Sequence, residues 1–449
     1  MPAVFPFHAI QYNNGAGDLS EFVAPPYDVL GLEQKNALLA NNEANAVGFD
    51  LPHVPAKKLG PPKAYENAAT DFNRFIQQGT LNRRETPAMF AYRQTFEFNG
   101  ETLERCGMAC TVETVAFGPR DGGGILPHEQ TFSGPKEDRL ALMKASATQF
   151  SPMFSLHPDT EGRASALVRK IMERGPAHAT ADLGDGVKHE IWTVDSDDDI
   201  AAYKDALAGE DVFIADGHHR YNTALMYLKH LEDTQGPVPA DHPARRTMMV
   251  LVGMSDPGLA IGPTHRVLGG MKDYSIEKFE QVAAAYLQID PCENDPHKIE
   301  DEMDKAVANS DRNVFGIMDV ATGLCFTAQP SDADPLALDF EDKPEAWRKL
   351  DVAIIQHLIV DQICKPDLNE GEEITWAFPH SVEEVLDIAH GRETGAGGGS
   401  GFAQLAVFVR PTPLNAVRDI SLANEVMPQK STFFYPKVAT GLFFNPLAD

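Results

Sequence analysis

Val212-Phe213-Ile214-Ala215-Asp216-Gly217-His218-His219-Arg220-Tyr221 decides the fold class, because the periodicity changes from strand to helix within it. Val212 to Ala215 is a short apolar run that suits a strand buried on both faces. Asp216-Gly217 is a turn signal, and Gly217 can take backbone angles closed to other residues. From Tyr221 the pattern turns helical, since Tyr221, Ala224, Leu225, Leu228 and Leu231 recur at three- and four-residue spacing. An acid, two imidazoles and a guanidinium thus gather where a strand ends and a helix starts. Free backbone N–H groups and the helix dipole attract anions at such a place.

Working outward, Met89 to Phe96 and a strand from Cys106 to Val115 flank Asn99-Gly100, which predicts a hairpin. Ala24-Pro25-Pro26-Tyr27-Asp28-Val29 reads as a rigid turn. Helices are predicted over 33–39, 65–76, 136–147, 161–174 and 199–208, with strands over 151–156 and 187–194. The polar, proline-rich 233–243 is the best linker candidate. Beyond it, strands (247–252, 313–318, 324–328, 374–378, 404–409) alternate with helices (276–287, 299–308, 352–363, 381–389, 413–424). This alternation predicts an α/β (α+β) protein of two domains, 1–236 and 237–449, the second itself α/β. The glycine-rich 391–401 lacks the Lys-Ser/Thr of a P-loop and precedes a strand, so it reads as a surface loop.

The chain has 449 residues, too many for one ordinary core, and 38 basic against 66 acidic residues give a net charge of −28. That charge repels a phosphate backbone and argues against nucleic-acid binding. An anionic substrate needs a local basic pocket or a metal ion. No run is apolar for long enough to span a bilayer and the N-terminus lacks a signal-peptide pattern, so a cytoplasmic protein without membrane attachment is expected. Five cysteines do not form a disulfide framework at this size and read as packed thiols.

Four polar clusters carry the candidate chemistry. In Asp216-Gly217-His218-His219-Arg220, Asp216 can hold Mg2+ or take a proton, a histidine can donate to phosphate, and Arg220 can grip phosphate bidentately. The plainer alternative is a helix cap with a surface ion pair. In His128-Glu129-Gln130-Thr131 with Lys136, Asp138 and Arg139, Glu129 can act as base toward a hydroxyl and Lys136 can neutralise phosphate, or the segment is simply a loop before a helix. Thr264-His265-Arg266 is a second His-Arg pair, or a plain turn. Met427-Pro428-Gln429-Lys430-Ser431-Thr432 leads through aromatics to Lys437 and can bring Lys430 and Lys437 to an anionic ligand, or it forms an edge strand.

In this order, Pro26-Tyr27-Asp28-Val29, Leu126-Pro127-His128-Glu129, Pro135-Lys136 with Asp138-Arg139, Asp216 to Tyr221, Thr264-His265-Arg266 and Met427 to Thr432 resemble the bacterial family termed domain of unknown function 1015. More distantly, Glu129, the 136–147 helix, Ser151-Pro152-Met153-Phe154 and Phe213 to Tyr221 resemble the ParB and sulfiredoxin superfamily, whose members include free serine kinases. That resemblance implies a ParB/sulfiredoxin-like mixed domain with its core at about 88–232, a nucleotide (ATP or ADP) and Mg2+. It casts Glu129, Asp216 and His219 as catalytic, with Asp216 on the metal. With the clusters above, the phosphate- or nucleotide-binding candidates are Gly217, His218, Arg220, Lys136 and Arg139, and the substrate or accessory candidates are His128, Thr131, His265, Arg266, Lys430, Ser431 and Thr432. The expected activity is phosphoryl transfer to a small hydroxyl-bearing metabolite, with a homodimer left open. The alternatives are a ParB-like nucleotide switch or scaffold without turnover, and a metal-dependent hydrolase.

Overall fold

The computed structural model describes residues 1–449 except 57, 132, 309, 311, 393–398, 400 and 449. Most of the glycine-rich 391–401 segment therefore lies outside the described residues. The chain forms two compact units, the first comprising 1–127, 131–260 and 436–449, the second 128–130 and 261–435.

The first unit is built on a mixed nine-stranded sheet. Its strands are β1 (Val4–Phe5), β2 (Met89–Phe98), β3 (Glu101–Glu113), β4 (Ile125–Leu126), β5 (Met153–His157), β6 (Ala179–Asp182), β7 (Lys188–Val194), β8 (Val212–Asp216) and β9 (Arg246–Gly253). They run in the order β4-β8-β5-β9-β3-β2-β7-β6, with β1 also on β3. Asn99 and Gly100 take φ of 51° and 77° between β2 and β3, as a tight hairpin turn requires. Strand β8 lies parallel to β4 and antiparallel to β5. Being interior, it is apolar throughout Val212 to Ala215, and all four side chains are buried. Burying Val212, Phe213 and Ile214 contributes roughly 1.5–3 kcal/mol each.

Helices α1 (Pro62–Gln77), α2 (Ser133–Ser146), α3 (Asp197–Ala206) and α4 (His218–Gln235) flank this framework. Helix α4 begins at His218, one turn earlier than its apolar periodicity, so both histidines and Arg220 fall in its first turn.

The units do not follow a 236/237 division. Strand β9 pairs antiparallel with β3 and parallel with β5, so the proline-rich stretch before it is a surface connection returning the chain to the same sheet. The last residues return as well: Asn445 pairs with Gln149, and the Phe444 ring packs on Phe72 and Phe150 at 5.3 and 5.7 Å.

The second unit holds an antiparallel six-stranded sheet. Its strands are β10 (Arg266–Gly269), β11 (Leu287–Pro291), β12 (Phe315–Asp319), β13 (Cys325–Pro330), β14 (Thr375–Ala377) and β15 (Ala403–Phe408), in the order β11-β13-β12-β15-β10-β14. Ile355, Leu358, Ile359 and Ile363 of the π-wound helix Ile355–Cys364 fill one side of its core.

The chain is thus a mixed α/β (α+β) protein. All five cysteines are free, and burial pushes the Cys106 thiol up to about 12, which suits inert packing. Among the described residues no helix is long and apolar enough to cross a membrane.

Candidate functional site

Asp216 ends β8 after a break in its register with β5 between Ile214 and Asp216, an irregularity of the kind that re-aims a side chain at a strand end. Gly217 follows with φ of 109°, and a Cβ there would lie 2.7 Å from Met153 Cγ. Only glycine meets both demands. The turn delivers Arg220 back onto Asp216: its guanidinium donates to Asp216 Oδ2 and to the Pro152 carbonyl. On the other oxygen, Lys437 Nζ donates to Asp216 Oδ1 at 3.1 Å. Burial opposes ionisation of Asp216, but Lys437 and Arg220 outweigh it and hold the carboxyl well below the usual range. Burial likewise works against the Arg220 charge, and Asp216, Asp28, Tyr27 and Asp50 more than offset it.

The Lys437 backbone is clamped by the hairpin. Gln94 Nε2 donates to the Lys437 carbonyl at 2.9 Å, and buried Arg105 donates to Gln94 and to the Pro436 carbonyl. His218 is buried and helps keep Asp216 ionised, while His219 is half-buried and its carbonyl accepts from Thr223. Thr131 is tied to α4 by Asn222 Nδ2 at 3.1 Å. Lys136 stands half-buried in the first turns of α2.

A second layer supports Arg220. Arg139, buried, donates to Asp138 at 2.9 Å and to Asp50 Oδ1 at 3.1 Å, and its guanidinium lies 3.9 Å from the centre of the Tyr27 ring. Asp138 also accepts from Tyr65 at 2.7 Å and stands 2.8 Å from His53 Nε2. Asp50 further accepts from Ser151 and from Thr440. A buried ion cluster of this kind is strongly destabilised when one partner is lost, by about 3–5 kcal/mol.

The second unit gathers the other predicted residues. The Glu129 carboxylate accepts from the Lys430 backbone N–H at 2.6 Å, and Lys430 takes φ of 59° to present it. His128 Nε2 lies 2.9 Å from Thr432 Oγ1, and the His128 carbonyl accepts from Met427 at 2.7 Å. Arg266 Nη2 donates to the Lys430 carbonyl at 3.0 Å, and burial, partly offset by Glu129, lowers the guanidinium to about 10. His265 is fully buried, accepts from the Val409 N–H at 3.2 Å, and is pushed down to about 3 by burial and Arg266. Burial thus favours the neutral form of the ring. Ser431 turns its hydroxyl onto the Pro428 carbonyl.

Each unit thus assembles its own set: Asp216, Gly217, His218, Arg220 and Lys437 in one, His128, Glu129, Arg266, Lys430 and Thr432 in the other. Sequence reading missed Asp50 and Arg105. Asp50 stands alone and Arg105 follows Glu104, and the long-range partners of neither leave a local pattern. It also missed His157, Asp159 and Glu210, the group of potential metal ligands found among the described residues, whose ligand atoms lie within 4.8 Å of one another. There the Asp159 oxygens accept from the backbone N–H groups of Ala164 and Ser165 at 3.0 and 2.9 Å, and His157 pairs with Glu210 at 2.9 Å. Capping and pairing account for the group.

The first unit thus presents an ion-paired aspartate and a helix N-terminus at the end of a strand of a mixed sheet. The chain belongs to the family described as protein of unknown function (DUF1015), whose model matches residues 4–353. Among solved structures it is similar to a free serine kinase in complex with AMP, at 12% identity and a TM-score of 0.32 over 73% of this chain and 95% of that one. It is also similar to SbnI with a C-terminal truncation from Staphylococcus aureus, at 9% identity and a TM-score of 0.33 over 72% and 84% of the chains. A conserved hypothetical protein from Pyrococcus furiosus gives 15% identity and a TM-score of 0.31 over 71% and 93%. No curated protein matches the chain.

Proposed function

We propose that the protein is a nucleotide- and Mg2+-dependent phosphotransferase acting on a small hydroxyl-bearing metabolite. The observation that carries this reading is the Asp216 carboxylate held between Lys437 and Arg220 at the start of the α4 helix. Two cations and the N–H groups of a helix start are what a polyphosphate needs. When phosphate enters, Lys437 and Arg220 can turn to its oxygens, and Asp216 then offers two hard oxygen donors that suit Mg2+. Bound there, the ion would neutralise phosphate charge.

In the transfer, the acceptor oxygen bonds to the terminal phosphorus as the bond to the departing nucleotide breaks, and the hydroxyl proton passes to a base. Glu129 is assigned as that base from the sequence resemblance, and His219 as a hydrogen-bond donor to phosphate. Arg139 supports Arg220 through Asp50 and Tyr27 and does not need to touch phosphate itself.

The test is to incubate the full chain with ATP or ADP, MgCl2 and a panel of hydroxyl metabolites, following phosphorylated product by mass spectrometry. Wild type should transfer phosphate to one acceptor class, and Asp216→Asn and Glu129→Gln should abolish turnover with unchanged circular dichroism. Full activity in both variants overturns the assignment. The ion pairing of Asp216, which leaves it quiescent without ligand, favours one second reading, a nucleotide-binding switch. Tight nucleotide binding without transfer to any acceptor would select it, and metal-dependent cleavage without an acceptor would point to a hydrolase.

A further inference from the structure

A cavity of about 290 Å³ in the first unit is lined by Phe5, His8, Arg83, Lys204 and Arg246, among others, and by no aspartate or glutamate. In a chain where 66 acidic residues face 38 basic ones, a random lining would hold more acids than bases. Here the balance is reversed. Elsewhere in the same unit arginines meet carboxylates: Arg93 with Glu190, Arg169 with Asp256, Arg174 with Asp199. Among the described residues, none of Arg83, Lys204 and Arg246 comes within 4.0 Å of a carboxylate oxygen.

Two of these cations meet the same aromatic wall. The Arg246 guanidinium lies 4.0 Å from the Phe5 ring centre and Lys204 Nζ lies 5.4 Å from it. The walls are held by pairing already described or adjacent to it: Phe5 opposite Thr111 on β3, Arg83 opposite Ile10, and Asn445 opposite Gln149. The cavity is therefore formed in advance, which spares a ligand the cost of ordering it. Proline rings of Pro6, Pro87 and Pro446 add apolar surface beside the cations.

We infer that this cavity is a binding site for a small organic polyanion, a metabolite bearing two or more phosphoryl or carboxylate charges and an apolar portion that rests on Phe5. It shares no lining residue with the Asp216 cluster and stands independently of the activity proposed there. The concave shape and modest volume suit a small molecule. The net charge of −28 disfavours polyanions at long range, so recognition depends on these local cations.

The test is isothermal titration of the full-length protein at low salt with pyrophosphate and, separately, citrate, on wild type, Lys204→Gln/Arg246→Gln and Lys437→Gln. Saturable probe binding is expected to include a component that the double variant weakens at least tenfold, and this component persists in Lys437→Gln, which weakens only binding at the Asp216 cluster. Binding of both probes marks charge recognition, of pyrophosphate alone a phosphorylated ligand, and of citrate alone a polycarboxylate. Absence of saturable binding of either probe overturns the inference, as does loss in Lys437→Gln with retention in the double variant. Lys204 is exposed, so Lys204→Gln alone, which should weaken binding at least threefold, decides the matter if the double variant fails to fold.

Discussion

Lys437 reaches Asp216 across 221 positions of sequence, its ammonium 3.1 Å from Oδ1, while Arg220 holds Oδ2 from one helical turn away. One anchor is local and the other arrives with the C-terminal segment. Together the two cations hold the carboxyl well below the usual carboxylate range.

Lys437→Gln should remove the long-range half of this clamp. A hydrogen bond to a charged group is worth about 1.5–3 kcal/mol, so nucleotide affinity should fall by roughly ten- to a hundredfold. Asp216 should also titrate higher, having lost a cation. Calorimetric titration with ADP reads the first effect, and an unchanged dissociation constant would remove Lys437 from the phosphate site.

The pH dependence of Asp216 has a definite sign. Its carboxyl is depressed in the folded protein, so it binds fewer protons than the unfolded chain in acid. The stability it confers is full above the unfolded value of about 3.9 and is lost as pH falls below it through the folded value. Asp216→Asn should be less stable than wild type at pH 7, with the gap closing below about pH 4. Urea unfolding at pH 7, 5 and 3 gives the comparison, and a gap that stays constant would show that no depressed carboxyl is involved.

What the sequence made legible was local. The run Val212 to Ala215, the breaker Gly217 and the hairpin at Asn99-Gly100 each announce themselves within a few residues, because backbone preference and burial period act over that range. The placement of β9 beside β5 and of Phe444 against Phe72 depends on pairing between distant segments, and no periodicity encodes it. For the same reason Arg139 read as a phosphate ligand next to Lys136. Its engagement with Asp50, Asp138 and Tyr27 needs the fold to be known. His265 read as a substrate residue because a His-Arg pair looks chemical, whereas burial leaves it neutral and bonded to Val409.

Gly217→Ala should damage structure and site together. The residue needs φ of 109°, and the new methyl would meet Met153 Cγ at 2.7 Å. Strain at such an angle costs on the order of 1–3 kcal/mol before the steric overlap is added. The melting temperature should fall by several degrees and ADP binding should be lost, since the turn aims both Asp216 and Arg220. Retained binding at wild-type strength would mean that the turn does not set the geometry.

His189 makes the opposite pH argument to Asp216. Burial and the nearby Arg105 charge push its imidazole down to about 4, and its Nδ1 lies 2.6 Å from the Tyr92 hydroxyl. The unfolded chain, with a value near 6.5, takes up a proton that the folded one refuses. The stability tied to the neutral ring is therefore complete above about pH 6.5 and declines as pH falls toward 4. At about 1.36 kcal/mol per pH unit, the loss across that window reaches a few kcal/mol. His189→Gln removes the titration but keeps a polar side chain opposite Tyr92, so its stability should change less between pH 6.5 and 4 than that of wild type. Parallel urea midpoints for the two proteins across this window would show that His189 is protonated in the fold, and would remove the hairpin beneath Lys437 as the acid-sensitive part of the first unit.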